Sequence, residues 1–387
     1  MRKLLFVFTL VFSMITSSQS IRVASFNVSM EATNYLQQGQ FPTGNELAEK
    51  LENGKYLQIK NIAEIIQRTN PDIILLNEFD YSKDLAVLVS NFLSNYLQVP
   101  HNNSEPIEFP FFYSAPVNTG VDSGLDLDKD GVTSGIKGDA FGYGLFPGQY
   151  GMLVLSKYPI EIEDIRTFQR FLWKDMPNNL MASVIEENGN PYYNKVAQSK
   201  LRLSSKSHWD IPIKVNNQIL HILASHPTPP VFDGSEDRNG KRNHDEIRFW
   251  SDYISDSSMS NYIYDDYGQL GGFKGEHFVV VGDLNASPDE GDGIKSAIKG
   301  LLNHSQINNT NEPTSEAGNL NSPENIHAAQ HTAEWAMRAD YVLPSKRLEI
   351  VASGVFWPKD NEPLNRLIKD RKSSSDHRLV WVDVVVK

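Results

Sequence analysis

Val279-Val280-Val281-Gly282-Asp283-Leu284-Asn285 is a hydrophobic run that ends abruptly in polar residues. Three consecutive valines are typical of a buried strand, and the polar side chains follow at the point where that strand leaves the core. Asp283 and Asn285 gain nothing from packing there, because burying a polar group without a partner costs free energy. In α/β folds, ligands bind just beyond the carboxyl ends of strands. The segment therefore predicts a core strand that delivers two functional side chains.

Five other segments bring polar residues to the ends of apolar runs. They are Arg22–Phe26 before Asn27, Ile73–Leu76 before Glu78, Ile219–Ala224 before His226, and the segments around Asp340 and Asp376-His377. The candidate site residues are thus Asn27, Glu78, His226, Asp283, Asn285, Asp340, Asp376 and His377. All eight side chains offer oxygen or nitrogen as metal ligands and none offers sulfur, which favours the binding of a hard cation.

The amino-terminal residues predict a secretory signal peptide over 1–20. Arg2 and Lys3 precede the apolar run Leu4–Phe12, which is followed by small polar residues, and we expect cleavage near Ser20. No segment approaches the roughly 20 apolar residues of a membrane span. The chain has no cysteine, which excludes disulfides and a lipid-modified cysteine. We therefore expect a secreted or periplasmic protein.

The rest of the chain alternates predicted strands with predicted helices, a rhythm typical of α/β folds. Helices are predicted from about Lys55 to Arg68, from Leu85 to Leu97, and from Asn243, as candidate cap, to Ile254. The candidate site residues extend from position 27 to position 377, so both ends of the chain must meet. We expect one domain over 21–387, with insertions near 101–150, 228–241 and 303–335.

The first insertion contains a short acidic motif. Asp126, Asp128 and Asp130 alternate with other residues before Gly131, as at the start of a calcium-binding loop. The twelfth position of this motif is Lys137 instead of a bidentate glutamate, which excludes a complete EF-hand. Two interpretations stay open, a Ca²⁺ site at the three aspartates and a solvated acidic turn.

Seven motifs in order give the chain a family resemblance. They are Ser25-Phe26-Asn27-Val28, Leu76-Asn77-Glu78, Tyr150–Ile160, Ser225-His226, Gly282–Asn285, Arg338–Leu343 and Ser375-Asp376-His377. Together they resemble the endonuclease/exonuclease/phosphatase superfamily of metal-dependent phosphoesterases, over nearly the whole mature chain. The resemblance implies an α+β or α/β fold, a four-layer sandwich of two packed mixed β-sheets flanked by helices.

The resemblance also implies a role for each candidate residue. Glu78 would be the main ligand of Mg²⁺ or Mn²⁺, and Asn27 and Asp376 would complete an oxygen-rich shell. His377 would contact the phosphoryl group, and Asp340 would fix its tautomer. Asp283 would position or deprotonate the attacking water. His226 and Asn285 would donate hydrogen bonds to phosphoryl oxygens.

Two features depart from the family pattern. Asn77 stands where a glutamine usually precedes the glutamate, and we expect this shorter amide to keep the same contact. Pro227 follows His226, where nucleases usually continue with a longer apolar strand. We therefore expect the entrance to the site to differ from theirs.

Arg248 is a candidate substrate-binding residue. The loop that precedes its helix leaves directly from the strand that ends at His226, so its side chain could be directed at the substrate. The alternative is an ion pair on the helix face, for example with Asp245. Both interpretations stay open.

Net charge separates the possible substrates. Without Arg2 and Lys3 the chain has 34 basic and 48 acidic residues, a net charge of −14. Nucleic-acid binding depends on many Lys and Arg contacts to phosphates, so an acidic chain disfavours it. We expect a monomeric hydrolase of small phosphodiesters or phosphomonoesters. The alternatives are an extracellular endonuclease and a catalytically silent scaffold, which would have no use for all eight polar residues.

Overall fold

The structure is a computed structural model that describes residues 20–386, so the predicted signal peptide lies outside the described residues. The strands are β1 (Ser20–Met30), β2 (Ile73–Phe79), β3 (Phe111–Tyr113), β4 (Met152–Ser156), β5 (Arg166–Thr167), β6 (His208–Val215), β7 (Gln218–Ser225), β8 (His277–Asp283), β9 (Asp340–Pro344), β10 (Glu349–Val355) and β11 (Val380–Val385). The α-helices are α1 (Glu46–Asn53), α2 (Leu57–Thr69), α3 (Leu85–Phe92), α4 (Lys195–Lys200), α5 (Arg238–Tyr253), α6 (Ser257–Ser260), α7 (Lys295–Leu302) and α8 (Glu316–Asn321).

The strands form two mixed sheets. One sheet has the order β10-β11-β1-β2-β4-β3, and the other has the order β5-β6-β7-β8-β9. Only the pairs β1–β2 and β7–β8 are parallel among the named strand pairs of residues 20–386. Alternate side chains of both sheets fill the space between them, for example Val23, Leu75, Ile211, Ile222 and Val279. The strand period of two thus builds a core that both sheets share.

Helices cover the outer face of each sheet. Apolar residues of α1, α2 and α3 pack on the first sheet, and those of α5 and α7 pack on the second. The layers are helix, sheet, sheet and helix, which confirms the predicted four-layer sandwich. No helix within residues 20–386 is long and apolar enough to cross a membrane.

Two helix boundaries differ from the sequence prediction. The predicted helix Leu85 to Leu97 is α-helical only to Phe92 and ends in a π-helical turn over Leu93–Leu97. Helix α5 begins at Arg238, so Asn243 lies inside the helix and is not its cap. The side chain of Asn243 instead donates to the carbonyls of Thr228 and Leu284. A tertiary contact therefore accounts for this asparagine better than local capping does.

The three predicted insertions contain few regular elements. Segment 101–150 contains only β3 among the strands of residues 20–386, and segment 303–335 contains α8. Segment 228–241 connects β7 to α5 and includes the first turn of that helix. The division of the chain into one domain with insertions stays a prediction.

Candidate active site

The candidate residues lie near the carboxyl ends of β1, β2, β7 and β8 and at the start of β9. Asn27 is paired with Asn77 in the parallel β1–β2 register, and Asp283 is paired with Asp340 in the antiparallel β8–β9 register. Asn77 joins the two sheets, since its Oδ1 accepts from the Asp283 N–H at 3.1 Å and its Nδ2 donates to the Ser225 carbonyl at 3.4 Å. The side chain of Asn77 therefore links the two sheets beneath the site.

A glycine brings β7 and β8 close together at this point. Gly282 has φ of 151°, and a Cβ at this position would lie 2.1 Å from the Ser225 carbonyl oxygen. A larger residue would push apart the strands that carry Ser225 and Asp283. The glycine thus permits the close approach of the two strand ends.

His377 and Asp340 form a buried pair. The Nδ1 atom of His377 lies 2.8 Å from Oδ2 of Asp340, which also accepts a 2.7 Å hydrogen bond from the Thr332 hydroxyl. The N–H of His377 donates to the Ser375 hydroxyl at 3.1 Å. Burial lowers the pKa of His377, but Asp340 and Asp283 outweigh burial and raise that pKa to about 10. The imidazole is therefore held as a cation in a fixed orientation.

Asp283 lies at the centre of the group. Its Oδ2 accepts from the amide of Asn27 at 3.0 Å and lies 3.6 Å from Nε2 of His377 and 3.4 Å from Nε2 of His226. Burial raises the pKa of Asp283 to about 6, against the opposite effect of His377. A carboxylate with this pKa is suited to exchange a proton near neutral pH.

His226 and Asn285 flank Asp283 on the other side. Burial, together with Lys206 and His377, places the pKa of His226 well below its usual value, so its imidazole is neutral. Within residues 20–386 its Nδ1 is buried without a hydrogen-bond partner. Asn285 has a left-handed backbone, with φ of 51°, and its Nδ2 donates to the Pro227 carbonyl at 3.3 Å. Both side chains can present a donor to an anion.

Glu78 and Asp376 carry negative charge at the edge of the group. Nη2 of Arg371 lies 3.7 Å from Oε2 of Glu78, and its Nη1 lies 3.3 Å from Oδ2 of Asp376. Oε2 of Glu78 is buried and makes no hydrogen bond with the described residues. Burial raises the pKa of Glu78, and Arg371 opposes this effect. A cationic side chain therefore lies between the two carboxylates, as a metal cation would, and the oxygen donors fit a hard divalent ion.

Asn27 presents its amide nitrogen to the carboxylates. Nδ2 lies 3.0 Å from Oε1 of Glu78, while Oδ1 accepts from the Ser29 N–H at 3.1 Å. Metal ligation by Asn27 requires the opposite amide orientation, with its oxygen toward Glu78. The three predicted metal ligands are thus gathered in one place, and the ligand role of Asn27 stays a prediction.

Ligand atoms of Asp283, Asp340 and His377 lie within 4.8 Å of one another, as in a metal site. The 2.8 Å hydrogen bond between His377 and Asp340 already uses one atom of each side chain. These two atoms are therefore already engaged in a hydrogen bond within the group.

Arg248 does not join the group. Its Nη2 donates to the Pro177 carbonyl at 2.7 Å, its Nη1 donates to the Asn178 carbonyl at 3.3 Å, and its Nε lies 3.7 Å from Asp252. The partners of Arg248 belong to a loop and to its own helix. These contacts do not support the predicted substrate-binding role.

The acidic motif does bring its three carboxylates together. Ligand atoms of Asp126, Asp128 and Asp130 lie within 4.8 Å of one another and face solvent. Backbone donors of the loop already bind all three: Gly131 N–H donates to Asp126 at 3.1 Å, Asp130 N–H to Asp128 at 3.3 Å and Val132 N–H to Asp130 at 2.8 Å. Such bonds are typical of acidic turns, and the calcium site stays a prediction.

Two cationic residues near the site were missed by the sequence analysis. Lys206 is 5% exposed and lies two residues before β6, whose His208 pairs with Ser225 at the end of β7. A lysine just before a strand that pairs with the His226 strand is a signal that could have identified it. The position of Arg371 between Glu78 and Asp376 had no local signal in the sequence.

Comparisons with known proteins agree with this geometry. The model of the Endonuclease/Exonuclease/phosphatase family matches residues 24–377, which include every candidate site residue. The chain is similar to the solved structure of an endonuclease/exonuclease/phosphatase from Beutenbergia cavernae DSM 12333, with 16% identity and a TM-score of 0.52, over 95% of this chain and 72% of that chain. A search of curated proteins found no match.

Two further solved structures resemble the chain more weakly. The human Nocturnin catalytic domain with bound sulfate has 15% identity and a TM-score of 0.45, over 94% of each chain. A beta toxin from Staphylococcus aureus has 14% identity and a TM-score of 0.44, over 94% of this chain and 99% of that chain. The family match and the buried site together confirm the resemblance seen in the sequence. The chain belongs to the endonuclease/exonuclease/phosphatase family and is, like its other members, a metal-dependent phosphoester hydrolase.

Proposed function

We propose that the protein hydrolyses small phosphodiesters or phosphomonoesters by attack of water on phosphorus. The position of Asp283 carries this proposal. Its carboxylate is buried between His226 and His377, at 3.4 Å and 3.6 Å, and burial raises its pKa to about 6. A base with such a pKa is ionised at neutral pH and still accepts a proton readily.

The neighbouring side chains have complementary roles in this mechanism. Asp283 orients the water and accepts its proton. His377, held as a cation by Asp340, donates a hydrogen bond to a phosphoryl oxygen, and His226 and Asn285 donate to the oxygens from the other side. Negative charge spreads over these oxygens in the transition state, so donors fixed beside them lower the barrier.

The metal site is proposed at Glu78, Asp376 and Asn27. A divalent cation bound there would act as a Lewis acid on the phosphoryl oxygens. We propose Mg²⁺ or Mn²⁺, because all the donors are oxygens and both ions accept such a shell. A cation held there would compete with Arg371 for the carboxylates of Glu78 and Asp376.

The net charge favours a small ester over nucleic acid. The chain that follows residue 20 carries −14, and a protein that holds DNA by its backbone needs many basic contacts. A silent scaffold is disfavoured because burying Asp283, Asp340 and Glu78 together is costly without a function for their charge. An extracellular endonuclease remains the second candidate, since the same site could cleave a polymer.

We propose secretion as the destination of the chain. The charged and apolar segments before Ser20 support this. Expression of the full chain in a bacterium and amino-terminal sequencing of the extracytoplasmic fraction test this. A product in the cytoplasm that retains Met1 would contradict it.

A substrate panel at two salt concentrations tests the activity. Bis-aryl phosphodiesters, aryl monoesters, lysophospholipids and plasmid DNA are compared with Mg²⁺, Mn²⁺ and Ca²⁺. We expect hydrolysis of a small ester whose kcat/KM changes little between about 50 and 200 mM NaCl, the range over which backbone binders lose orders of magnitude. Efficient plasmid cleavage with a steep negative salt dependence would establish the endonuclease instead.

A further inference from the structure

Ser29 has a strained backbone next to the candidate metal ligands. Its φ is 48°, in the left-handed region that residues other than glycine seldom adopt, and the residue is fully buried. It lies near the end of β1, where the register between β1 and β2 shifts between Asn27 and Met30. Glu78, near the end of β2, also has a left-handed backbone, with φ of 58°. Strain of this kind persists only where surrounding contacts enforce it, and it is concentrated at functional sites.

The backbone of Ser29 is held on both sides. Its carbonyl accepts from Nδ2 of Asn34 at 2.6 Å and from Nε2 of Gln58, on α2, at 3.2 Å. Its N–H donates to Oδ1 of Asn27 at 3.1 Å. These bonds come from three different side chains and account for the left-handed conformation. The direction of the Ser29 side chain is therefore fixed by contacts of its backbone.

The hydroxyl of Ser29 has one proton, and its neighbours indicate where that proton goes. Oγ of Ser29 lies 3.2 Å from Oδ1 of Asp376 and 3.1 Å from Oγ of Ser375. Ser375 donates its own proton to the Asn27 carbonyl at 2.7 Å, so it cannot also donate to Ser29. An ionised carboxylate only accepts hydrogen bonds, and it is a stronger acceptor than a hydroxyl. Ser29 is therefore the donor, and Oδ1 of Asp376 is its principal acceptor.

This bond leaves the second oxygen of Asp376 directed at the site. Oδ2 of Asp376 lies 3.3 Å from Nη1 of Arg371, and Nη2 of the same guanidinium lies 3.7 Å from Oε2 of Glu78. Oδ2 and Oε2 are thus the two carboxylate oxygens that face one cation. With Oδ1 bonded to Ser29, the Asp376 carboxylate cannot turn without losing that bond. The hydroxyl therefore orients one metal-competent oxygen toward the other.

We propose that Ser29 is a positioning residue of the metal site, whose hydroxyl fixes the Asp376 carboxylate in the orientation that a divalent cation requires. This inference rests on the proposed function, since Asp376 and Glu78 are ligands of the cation proposed there. Ser29 acts through Asp376 and is not itself a ligand. Partners that orient metal ligands contribute strongly to metal affinity. The role predicts that affinity depends on the Ser29 hydroxyl and not on the strain of its backbone.

Two substitutions separate the hydroxyl from the backbone. Ser29→Ala removes the hydroxyl and keeps a strained residue, whereas Ser29→Gly removes the hydroxyl and relieves the strain, because glycine adopts positive φ readily. Calorimetry with Mg²⁺ on metal-free protein measures affinity, and the heat signal lost in Glu78→Gln identifies the site. We expect both variants to bind Mg²⁺ at least about tenfold more weakly than the wild type. Ser258→Ala, which removes a hydroxyl bonded to Asp256 at the start of α6, should bind Mg²⁺ like the wild type.

Urea unfolding in EDTA distinguishes a positioning role from a structural one. Ser29→Gly should unfold at a higher urea concentration than Ser29→Ala, since only glycine is free of strain there. Equal losses of Mg²⁺ affinity in two variants of different stability are the expected result. Affinity within about twofold of the wild type in both variants, or affinity that recovers together with stability in Ser29→Gly, would overturn the inference. If Ser29→Ala does not fold, Ser29→Gly alone decides, because it removes the same hydroxyl from a relaxed backbone.

The same titrations separate this inference from the proposed function. Wild-type protein that binds Mg²⁺ through Glu78 but hydrolyses no ester contradicts the proposed function, and the two variants still decide the role of Ser29. Ester hydrolysis that requires Mg²⁺, with unchanged affinity in both variants, keeps the proposed function and removes Ser29 from it. A wild-type protein that binds no divalent cation would overturn both.

Discussion

Nδ1 of His377 lies 2.8 Å from Oδ2 of Asp340, and this contact joins residues 37 positions apart in the sequence. The carboxylate has two consequences for the imidazole. It fixes the tautomer and ring orientation, so that Nε2 points toward Asp283 at 3.6 Å. It also raises the pKa of His377, so that the ring keeps its proton at neutral pH.

Loss of the His377 imidazole should lower kcat strongly, and loss of the Asp340 carboxylate should lower kcat through its effect on His377. His377→Ala should lower kcat on the order of 100-fold or more, the scale of losing a positioned donor. Asp340→Asn should also lower kcat, and adding it to His377→Ala should cost little more. Steady-state kinetics of the two single variants and the double variant measure this, with His327→Ala, at a half-buried position beside Asp289, as control. Additive losses would show that the two residues act separately.

The rate should follow the protonation of Asp283 and His377. Protonated Asp283 cannot accept a proton from water, so kcat/KM should rise as pH increases through about 6, the pKa of this carboxyl. His377 loses its proton near its pKa of about 10, so kcat/KM should fall there. A pH profile of the wild type measures both limbs.

Asp340→Asn should move the upper limb to lower pH, and the lower limb with it, because the Asp340 charge also raises the pKa of Asp283. Loss of the Asp340 charge lowers the pKa of His377, because that charge favours the imidazolium. The fall in kcat/KM should therefore begin at lower pH in this variant. An upper limb that stays in place would assign it to a group other than His377.

Glu78 should determine the metal requirement. EDTA should abolish hydrolysis, and Mg²⁺ or Mn²⁺ should restore it. Glu78→Gln keeps the shape and removes the charge, so we expect the metal midpoint to rise by more than about tenfold, since loss of even an outer-shell partner costs this much. Metal titrations of activity and calorimetry measure the shift, and exposed Glu49→Gln is the control. An unchanged midpoint would give Glu78 another role.

His208 should make stability depend on pH. Burial lowers the pKa of His208 to about 4, against the opposite effect of its hydrogen bond to the Glu246 carbonyl. The unfolded chain binds this proton at a pKa near 6.5. Folding stability from this group is therefore complete above about 6.5 and is lost as pH falls toward 4, by up to ~3 kcal/mol.

Urea unfolding between pH 7 and pH 4.5 checks this value. His208→Gln cannot titrate, so its free energy of unfolding should fall less steeply with decreasing pH than that of the wild type. The comparison cancels the contribution of carboxylates common to both proteins. Parallel curves for the two proteins would mean that His208 binds its proton in the folded state.

Much of the fold and the candidate set could be predicted from local sequence. Helix α2 was predicted over about 55–68 and is found at Leu57–Thr69, because its apolar residues recur with the helical period. The strand before Asp283 was recognised from its valines, because a strand buried on both faces needs an apolar run. Polar side chains next to such apolar runs stand out in the sequence, so Asn27, Glu78, Asp283 and Asp340 could be named as candidates from the sequence.

The contacts between loops were decided only by the tertiary structure. The structure places Lys206 at the Pro227 carbonyl, Arg371 between Glu78 and Asp376, and Arg248 on the Pro177 loop, and each position depends on segments that are distant in the chain. A strand or helix can be predicted from the periodic spacing of its apolar residues. A long cationic side chain on a loop has no such pattern, and the sequence does not show whether it lies in solvent or in a binding site. The partner of such a cationic side chain is determined by the packing of the two sheets and by the charges that this packing brings together.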